Sequence, residues 1–357
     1  MAARSGHPWV YGEEVTRVDG VYATGDIVDV YSQKDRYLGT GFANDISKIR
    51  VRIVSDNAND RFDDAFWQRR VKYALQYRYT VMGATDFSCC RLIFGDADQM
   101  PGLTVDRYND ILVAQTLCYG MDQVKPVIFK ALVDELAAMG VSVRGIYERN
   151  DVKVRELDGM AQYKGWYEAD FLPQPGSPVT TINENGVLYD VDVENGQKTG
   201  FFLDQKYNRL AVAKIAAGRH VLDCFTHTGA FALNAAKGGA ASVTAVDVSE
   251  EAVAMTNENI RRNGLEQIVT AKQTNVFDLL TEMAEQKCRD YDFIILDPPA
   301  FTKPGHTVHN AIRGYKEINL KAMKLLPRGG YLATCSCSHF MRDDLFRRML
   351  RDAAKDA

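Results

Sequence analysis

Apolar and polar residues follow three different patterns along the chain. Up to residue 58, short apolar runs such as "DIVDVYS" and "YLGTGFAN" are punctuated by Gly and Asp, which predicts a small all-β unit. Over residues 59–178, the amphipathic stretch "FDDAFWQRRVKYALQ" precedes apolar strands and a second helical stretch, which predicts an α+β domain. From residue 179 onward, apolar strands alternate with helices.

The third pattern is typical of a parallel sheet covered by helices. The apolar runs "HVLDCF", "SVTAVDV", "IVTAKQ" and "YDFIILD" are separated by helical patterns such as "EEAVAMTNENIRRNG". A βαβ series of this kind predicts a doubly wound α/β fold. We therefore predict three domains, at residues 1–58, 59–178 and 179–357.

Three cations alternate with apolar residues in "KIRVR" of the first segment. Because side chains alternate across a strand, Lys48, Arg50 and Arg52 are expected on one face. That face is either a solvated strand surface or a strip that contacts phosphates. In the second segment, "GDADQMPGLTVDRY" is rich in acids but lacks the spacing of a calcium loop, so we read it as a structural turn. No metal site is predicted.

Ligands of doubly wound sheets bind at the carboxyl ends of the strands. The first of these strands ends at Asp223 and leads to Gly229, without the G-x-G-x-x-G fingerprint that cradles a pyrophosphate. The second ends at Asp247, a carboxylate suited to ribose hydroxyls, and the third leads to Asn275 and Phe277, suited to an adenine edge and face. Acids without a phosphate loop suit a nucleoside without phosphates, such as S-adenosylmethionine (SAM).

Composition narrows the setting. The chain has 357 residues, and no apolar run approaches the 18 or so residues that a membrane span needs, so we expect no membrane association. The N-terminal segment lacks an apolar signal core, and the seven cysteines are scattered, which indicates reduced thiols and a cytoplasmic location. The net charge of −4 gives no global attraction to nucleic acid, so any such contact must be local.

The fifth strand pattern, "GGYLATCSCSHF", contains two cysteines two residues apart. In an extended strand Cys335 and Cys337 would face the same side. A zinc site would need further ligands at matching spacing, and a disulfide between such neighbours has poor geometry. Two interpretations stay open on the residues alone: buried filler, or a nucleophile beside the "LDPPAF" end of the fourth strand.

These motifs together resemble the bacterial SAM-dependent large-subunit rRNA 5-methylcytosine methyltransferases that carry an N-terminal PUA domain. The resemblance spans "GHPWVY", "GDADQMPGLTVDRY", "GQKTGFFLDQKYNR", "LDCFTHTGAFA", "LDPPAF", "RGYKEIN" and "SCS". It implies a Rossmann-like class I methyltransferase domain, preceded by a PUA-like RNA-binding domain and a small central α+β domain. It also implies large-subunit ribosomal RNA as the partner, and it leaves open whether the protein forms a homodimer.

The resemblance also implies the chemistry. Cys337, the cysteine of "SCS", matches the family's nucleophile, and Cys335 is then a packing residue. Addition of a thiolate to carbon 6 of cytosine makes carbon 5 nucleophilic toward a methyl donor. Asp297 would contact the cytosine edge, Pro298 and Pro299 would fix the loop, and Phe301 would pack against the base.

The same resemblance places a lid over the methionine part of SAM in "KTGFFLDQKYNR" and completes the cofactor site. The lid residues are Thr199, Gly200, Phe202, Asp204, Gln205 and Arg209. The strand-end residues are Asp223, Phe225, Gly229, Asp247, Ser249, Asn275, Val276, Phe277, Asp297 and Pro298.

The chain departs from the family in two respects. The pattern of the family that the chain resembles has Asp at the position of Asn275, so the resemblance implies a different contact with adenine there. A complete class I sheet continues beyond the helix after its fifth strand, so we expect both ends to be trimmed relative to the family and the C-terminal strands to be missing. The alternatives are a methyltransferase of the same fold that acts on guanine, a non-catalytic RNA-binding adaptor, and a metabolic nucleotide-binding enzyme. Cys337 argues against a guanine methyltransferase, and the intact acids with Cys337 argue against a non-catalytic adaptor. The missing phosphate loop argues against a metabolic nucleotide-binding enzyme.

Overall fold

A computed structural model describes residues 7–174, 176–301, 308–338 and 340–357. The chain divides into two compact units. The first comprises Met1–Asn183 with Asp190–Leu203, and the second comprises Glu184–Tyr189 with Asp204–Ala357. The two N-terminal segments that we predicted as separate domains thus belong to one unit, and the predicted boundaries at residues 58 and 178 stay predictions.

The first unit begins with an antiparallel four-stranded sheet. Its strands are β1 (Trp9–Tyr11), β2 (Ile27–Tyr31), β3 (Tyr37–Ala43) and β4 (Ile49–Ser55), in the order β1-β4-β3-β2. A Cβ atom on Gly41 of β3 would lie 2.0 Å from the carbonyl oxygen of Arg52, so only glycine allows these strands to approach this closely. The prediction of a small β unit is confirmed.

The rest of the first unit is an α+β layer, as the sequence predicts. Helix α1 (Asp64–Phe87) precedes β5 (Cys89–Phe94), β6 (Leu103–Tyr108) and β7 (Ile111–Thr116), and helix α2 (Tyr119–Ala138) leads to β8 (Gly145–Asn150) and β9 (Tyr163–Trp166). These strands pair in chain order, and only β7 and β8 run parallel. The acids of the turn-rich segment form ion pairs, Asp98 with Arg78 and Asp106 with Arg91.

A hairpin of β10 (Val179–Glu184) and β11 (Val187–Asp192) precedes the parallel sheet of the second unit. That sheet contains β12 (His220–Cys224), β13 (Ser242–Asp247), β14 (Val269–Gln273), β15 (Phe293–Leu296) and β16 (Tyr331–Thr334), in the order β14-β13-β12-β15-β16. Helices α3 (Lys206–Ile215), α4 (Ala230–Lys237), α5 (Glu250–Arg262), α6 (Val276–Glu285), α7 (Val308–Leu325) and α8 (Asp343–Asp356) alternate with the strands. The predicted doubly wound fold is confirmed.

Strand order brings the predicted site residues to one edge of this sheet. All five strands are parallel, and the chain reverses direction across the sheet between β12 and β15. The residues at the carboxyl ends of these two strands therefore lie side by side, which is where doubly wound sheets bind ligands. No helix in the described part of the chain is long and apolar enough to cross a membrane.

Candidate active site

Asp223, the last acid of β12, is buried beneath this edge. Its Oδ2 accepts hydrogen bonds from Thr226 Oγ1 at 2.5 Å and from the Ala232 amide at 3.0 Å. Its Oδ1 is buried and has no hydrogen-bond partner within the described residues. The pKa of Asp223 is raised to about 7, chiefly by burial; the two hydrogen bonds oppose this rise, and the charges of Asp297 and Asp247 add to it. The free oxygen can accept a hydrogen bond from a cationic ligand.

The loop after β12 is held in a rare backbone conformation. Phe225 and His227 have φ angles of 63° and 53°, and Gly229 has φ 81°. A Cβ atom on Gly229 would lie 2.8 Å from Cγ2 of Thr256, so a side chain at this position would clash as well as be strained. Strained loops of this kind concentrate at ligand sites, where the surrounding structure fixes them.

Asp247 closes the same loop from β13. Its Oδ2 accepts a hydrogen bond from the His227 amide at 2.9 Å, and its Oδ1 accepts one from the Ser249 amide at 3.0 Å. A carboxylate has further acceptor positions, so these bonds orient Asp247 without exhausting it. The hydroxyl of Ser249 caps α5 by accepting from the Ala252 amide, a structural role that the sequence interpretation did not assign.

The start of α6 contains three predicted cofactor-site residues, of which Asn275 and Phe277 were predicted to contact adenine. Asn275 is the N-cap of this helix, and its Oδ1 accepts a hydrogen bond from the Phe277 amide at 2.9 Å. Val276 packs in the hydrophobic core of the second unit. The half-buried Phe277 ring lies 6.3 Å from the Phe225 ring and 5.8 Å from the Phe301 ring, measured between centroids. The rings are inclined to one another, by 73° and 50°, and form an aromatic cluster that extends from the β12 loop to the β15 loop.

Three predicted lid residues belong to the first unit. The hydroxyl of Thr199 donates to Asp106 Oδ2 at 2.7 Å and lies 2.9 Å from the hydroxyl of the buried Tyr108. Gly200 has φ 136°. The Phe202 ring lies 4.7 Å from Nζ of Lys198. Thr199 thus has a structural role within this unit, and the contact of all three with a cofactor stays a prediction.

The other three lid residues belong to the second unit. Asp204 is exposed, whereas Gln205 is half-buried and hydrogen-bonds to the thiol of Cys335. Arg209 is buried and forms a two-pronged ion pair with Glu184, with N–O distances of 2.6 and 2.8 Å. This pair ties α3 to the end of β10, a structural role for Arg209 that the sequence did not indicate.

The structure corrects the predicted strand over the two cysteines. Regular pairing in β16 ends at Thr334, and only the Cys335 amide extends it, by donating to the Leu296 carbonyl at 2.8 Å. The segment that follows β15, the strand paired with β16, continues from Leu296 through Asp297 to Pro298 and Pro299. Proline has no N–H group with which to continue the hydrogen-bond ladder. The two cysteines therefore do not lie on one face of a strand.

Their environments differ accordingly. Cys335 is half-buried, and desolvation, helped by the charge of Asp297, raises the pKa of its thiol to about 12. Cys337 is exposed, and its Sγ lies 3.7 Å from the carbonyl oxygen of Pro298. A thiol with so high a pKa stays protonated and is a poor nucleophile at neutral pH. Of the two, only Cys337 is both accessible and adjacent to the loop that carries Asp297.

Tyr315 connects the two loops, and the sequence interpretation gave it no role. This fully buried residue of α7 places its hydroxyl 2.9 Å from Oγ of Ser338, the residue after Cys337. Its ring lies 4.5 Å from the ring of Phe301, which follows the Pro298–Pro299 segment. The indication in the sequence was a tyrosine on the apolar face of an amphipathic helix, which is also what ordinary core packing produces.

The predicted cationic strip is located in the first unit. Lys48 directly precedes β4, and Arg50 and Arg52 lie within it. Arg50 is paired with Asp45, and Arg52 donates to Asp158 Oδ1 at 3.0 Å. The two arginines are therefore committed to carboxylates of the protein. In the described part of the chain, no cluster of three or more His, Cys, Asp or Glu residues is arranged to hold a metal ion.

The second unit's site suits S-adenosylmethionine. The α-ammonium group of S-adenosylmethionine would supply the hydrogen-bond donor that Oδ1 of Asp223 lacks. The carboxylate of Asp247 and the ring of Phe277 suit a ribose and an adenine, as the sequence predicts.

Family comparisons agree with this assignment. The sequence model of a protein family described as S-adenosylmethionine-dependent methyltransferase matches residues 152–357, more than half of the chain. The sequence model of a PUA-like domain matches residues 2–56. Ribosomal RNA large subunit methyltransferase I of Aeromonas salmonicida is 40% identical over 98% of this chain and 86% of its own length. The protein of the same name from Klebsiella pneumoniae is 36% identical over the same shares.

Solved structures share the fold. A Streptococcus mutans protein assigned as a SAM-dependent methyltransferase superposes with a TM-score of 0.76 at 22% identity, covering 98% of this chain and 87% of that one. A second structure, assigned as a methyltransferase and complexed with SAH, gives a TM-score of 0.79 at 22% identity, covering 99% and 87%. The chain therefore belongs to the S-adenosylmethionine-dependent methyltransferases, in the family of ribosomal RNA large subunit methyltransferase I.

Proposed function

We propose that this protein methylates carbon 5 of a cytosine in large-subunit ribosomal RNA, through a covalent adduct with Cys337. The observation that carries the proposal is the difference between the two cysteines at the end of β16. The exposed Cys337 lies against the Pro298 carbonyl, whereas Cys335 is desolvated and hydrogen-bonded within the protein. Carbon 5 of cytosine needs a thiol to become reactive, and a guanine or adenine acceptor does not.

The proposed reaction begins with an attack by the chain's own thiol on the cytosine ring. The thiolate of Cys337 adds to carbon 6 of the ring, which forms a C–S bond and makes carbon 5 an enamine-type nucleophile. When bound, S-adenosylmethionine supplies the electrophilic methyl group that carbon 5 takes up. S-adenosylhomocysteine would be the product left by the methyl transfer. The proton on carbon 5 then passes to solvent water, and the electron pair of that C–H bond expels the Cys337 thiolate as the C–S bond breaks, which releases 5-methylcytosine.

Asp297 is proposed to hold the cytosine edge. It directly precedes Pro298, whose carbonyl oxygen contacts Cys337, so the carboxyl group and the thiol come from adjoining loops. A carboxyl group facing N3 and the amino group would bind the base and stabilise the charge that develops on thiolate addition. Phe301 and the exposed Pro299 are proposed to pack against the base from the same loop.

Ribosomal RNA as the substrate is proposed from the relatives, which are named ribosomal RNA large subunit methyltransferase I. The PUA-like match at residues 2–56 supports an RNA partner as well. The identity of the target base is tested by incubating the protein and labelled SAM with unmodified large-subunit rRNA, and then digesting the RNA to nucleosides. We expect the label in 5-methylcytidine. Label in a methylated guanosine would reject the proposed acceptor, and a complete lack of label would reject the proposed substrate.

A further inference from the structure

The first unit carries a cleft of about 900 Å³ whose walls come from separate segments. Trp9 and Tyr11 of β1 form one wall, and the segments around Ile46, Phe94 and Leu157 form the others. Apolar side chains around it are exposed to solvent: Ile46 is 64%, Phe94 55% and Leu157 67% exposed. A continuous apolar surface that stays exposed marks a binding site.

Flat side chains in this cleft are fixed before any ligand binds. Arg52 lies opposite Trp9 in the pairing of β1 with β4, and its guanidinium is 5.4 Å from the centroid of the Trp9 ring. Asp158 accepts a hydrogen bond from Arg52 Nη2 at 3.0 Å, and Asp96 accepts one from Trp9 Nε1 at 3.2 Å. Side chains that are already ordered lose less conformational entropy when a ligand binds.

We propose that this cleft binds an unpaired nucleotide of RNA, with its base stacked on the aromatic wall. The proposal rests on the proposed function, which makes RNA the substrate class. Proteins recognise unpaired bases by stacking them on aromatic rings, and the rings of Trp9 and of the exposed Phe94 line this cleft. Lys48 lines the same cleft and supplies a cation for the adjoining phosphate.

The acids of the cleft favour a base inside it. Asp96, Glu156 and Asp158 line the cleft, and one carboxylate oxygen of Asp96 and one of Asp158 are buried without a hydrogen-bond partner in the described part of the chain. Base edges carry N–H donors that match such acceptors, whereas a phosphate group has only acceptors and would be repelled. The base is therefore assigned to the interior and the phosphate to the side of Lys48.

Binding of the full-length protein to an unmodified large-subunit rRNA transcript, measured at several salt concentrations, tests this assignment. Phe94→Ala should weaken binding about tenfold through loss of one base–aromatic stack, with the salt dependence unchanged. Lys48→Ala should lower the salt slope by about one unit, because one phosphate contact is lost. Tyr73→Ala is the matched control, since Tyr73 is an aromatic residue of α1 that is 58% exposed and does not line the cleft.

Three results would overturn the assignment. If Phe94→Ala binds RNA as tightly as the wild type, the cleft does not hold a base. If Phe94→Ala instead converts a dimer to a monomer in sedimentation while its RNA affinity is unchanged, the occupant is a second copy of the chain. If the wild type itself does not bind the transcript, the proposed substrate fails together with the cleft, whereas the first two results leave the proposed function untouched.

Discussion

The ionisation of Asp223 depends strongly on the fold around it. Its carboxyl group is buried, it is close enough to Asp247 and Asp297 for their charges to act on it, and its pKa is raised to about 7. The folded protein therefore binds a proton at Asp223 between about pH 4 and pH 7, where the unfolded chain, with a carboxyl pKa of about 4, does not. The contribution of Asp223 to stability is fully present below about pH 4 and is lost as the pH rises through about 7.

The first prediction follows from this linkage. In the absence of SAM, Asp223→Asn should be more stable than the wild type at pH 8, by up to about 4 kcal/mol in the free energy of unfolding. The amide oxygen can still accept from Thr226 and Ala232, and it requires no buried charge. The difference should shrink as the pH falls toward 4. Urea unfolding of both proteins at pH 5 and pH 8 measures it, and an equal difference at both pH values would show that Asp223 titrates normally.

Helix α7 fixes the geometry between two loops that carry the proposed chemistry. Tyr315 hydrogen-bonds to Ser338 in the loop after β16 and packs on Phe301 in the loop after β15. Neither loop has a regular strand to hold it, since β15 ends at Leu296 and β16 ends at Thr334. We therefore expect this buried hydroxyl pair between a helix and a loop to help hold Cys337 in place relative to Asp297.

A second prediction tests this link. Tyr315→Phe keeps the ring against Phe301 but leaves the Ser338 hydroxyl without its partner, which costs about 1–3 kcal/mol of stability. We expect kcat for RNA methylation to fall about tenfold, while the affinity for SAM, measured by calorimetry, stays that of the wild type. Ser338→Ala should lower kcat similarly, and the double variant should be no worse than the single ones. An unchanged kcat in folded Tyr315→Phe would assign the tyrosine to core packing alone.

At the scale of the whole molecule, the features that depend on hydrophobic periodicity and strand order could be predicted from the sequence. The alternation of strands and helices after residue 179 predicted the parallel sheet, and the order of its strands brought Asp223, Asp247 and Asp297 to one edge. What it could not predict depends on local pairing. The two cysteines are two residues apart, which suggested equivalent positions on a strand. The prolines after Asp297 end the hydrogen-bond ladder, so the thiol of Cys335 is desolvated and that of Cys337 is exposed.

The same limit applies to charged residues far from the sheet. The alternation of Lys48, Arg50 and Arg52 correctly indicated a strand, but the carboxylates that pair with the arginines could not be identified from spacing. Asp158 is more than a hundred positions away from Arg52 in the chain. Contacts of such separation arise only when whole segments pack together. Residues in motifs that resemble the family's were proposed as site residues from the sequence. Residues whose role depends on packing between distant segments, such as Tyr315 and Glu184, were missed.

Trapping of a covalent adduct tests most directly whether Cys337 attacks the base. A large-subunit rRNA transcript with 5-fluorocytosine in place of cytosine is incubated with SAM and the protein, and adducts are resolved on a denaturing gel. Fluorine cannot leave carbon 5 as a cation, so the intermediate accumulates. The wild type and Cys335→Ala should form the adduct, whereas Cys337→Ala should form none and still bind SAM normally. An adduct with Cys337→Ala, or its loss in Cys335→Ala alone, would contradict the account.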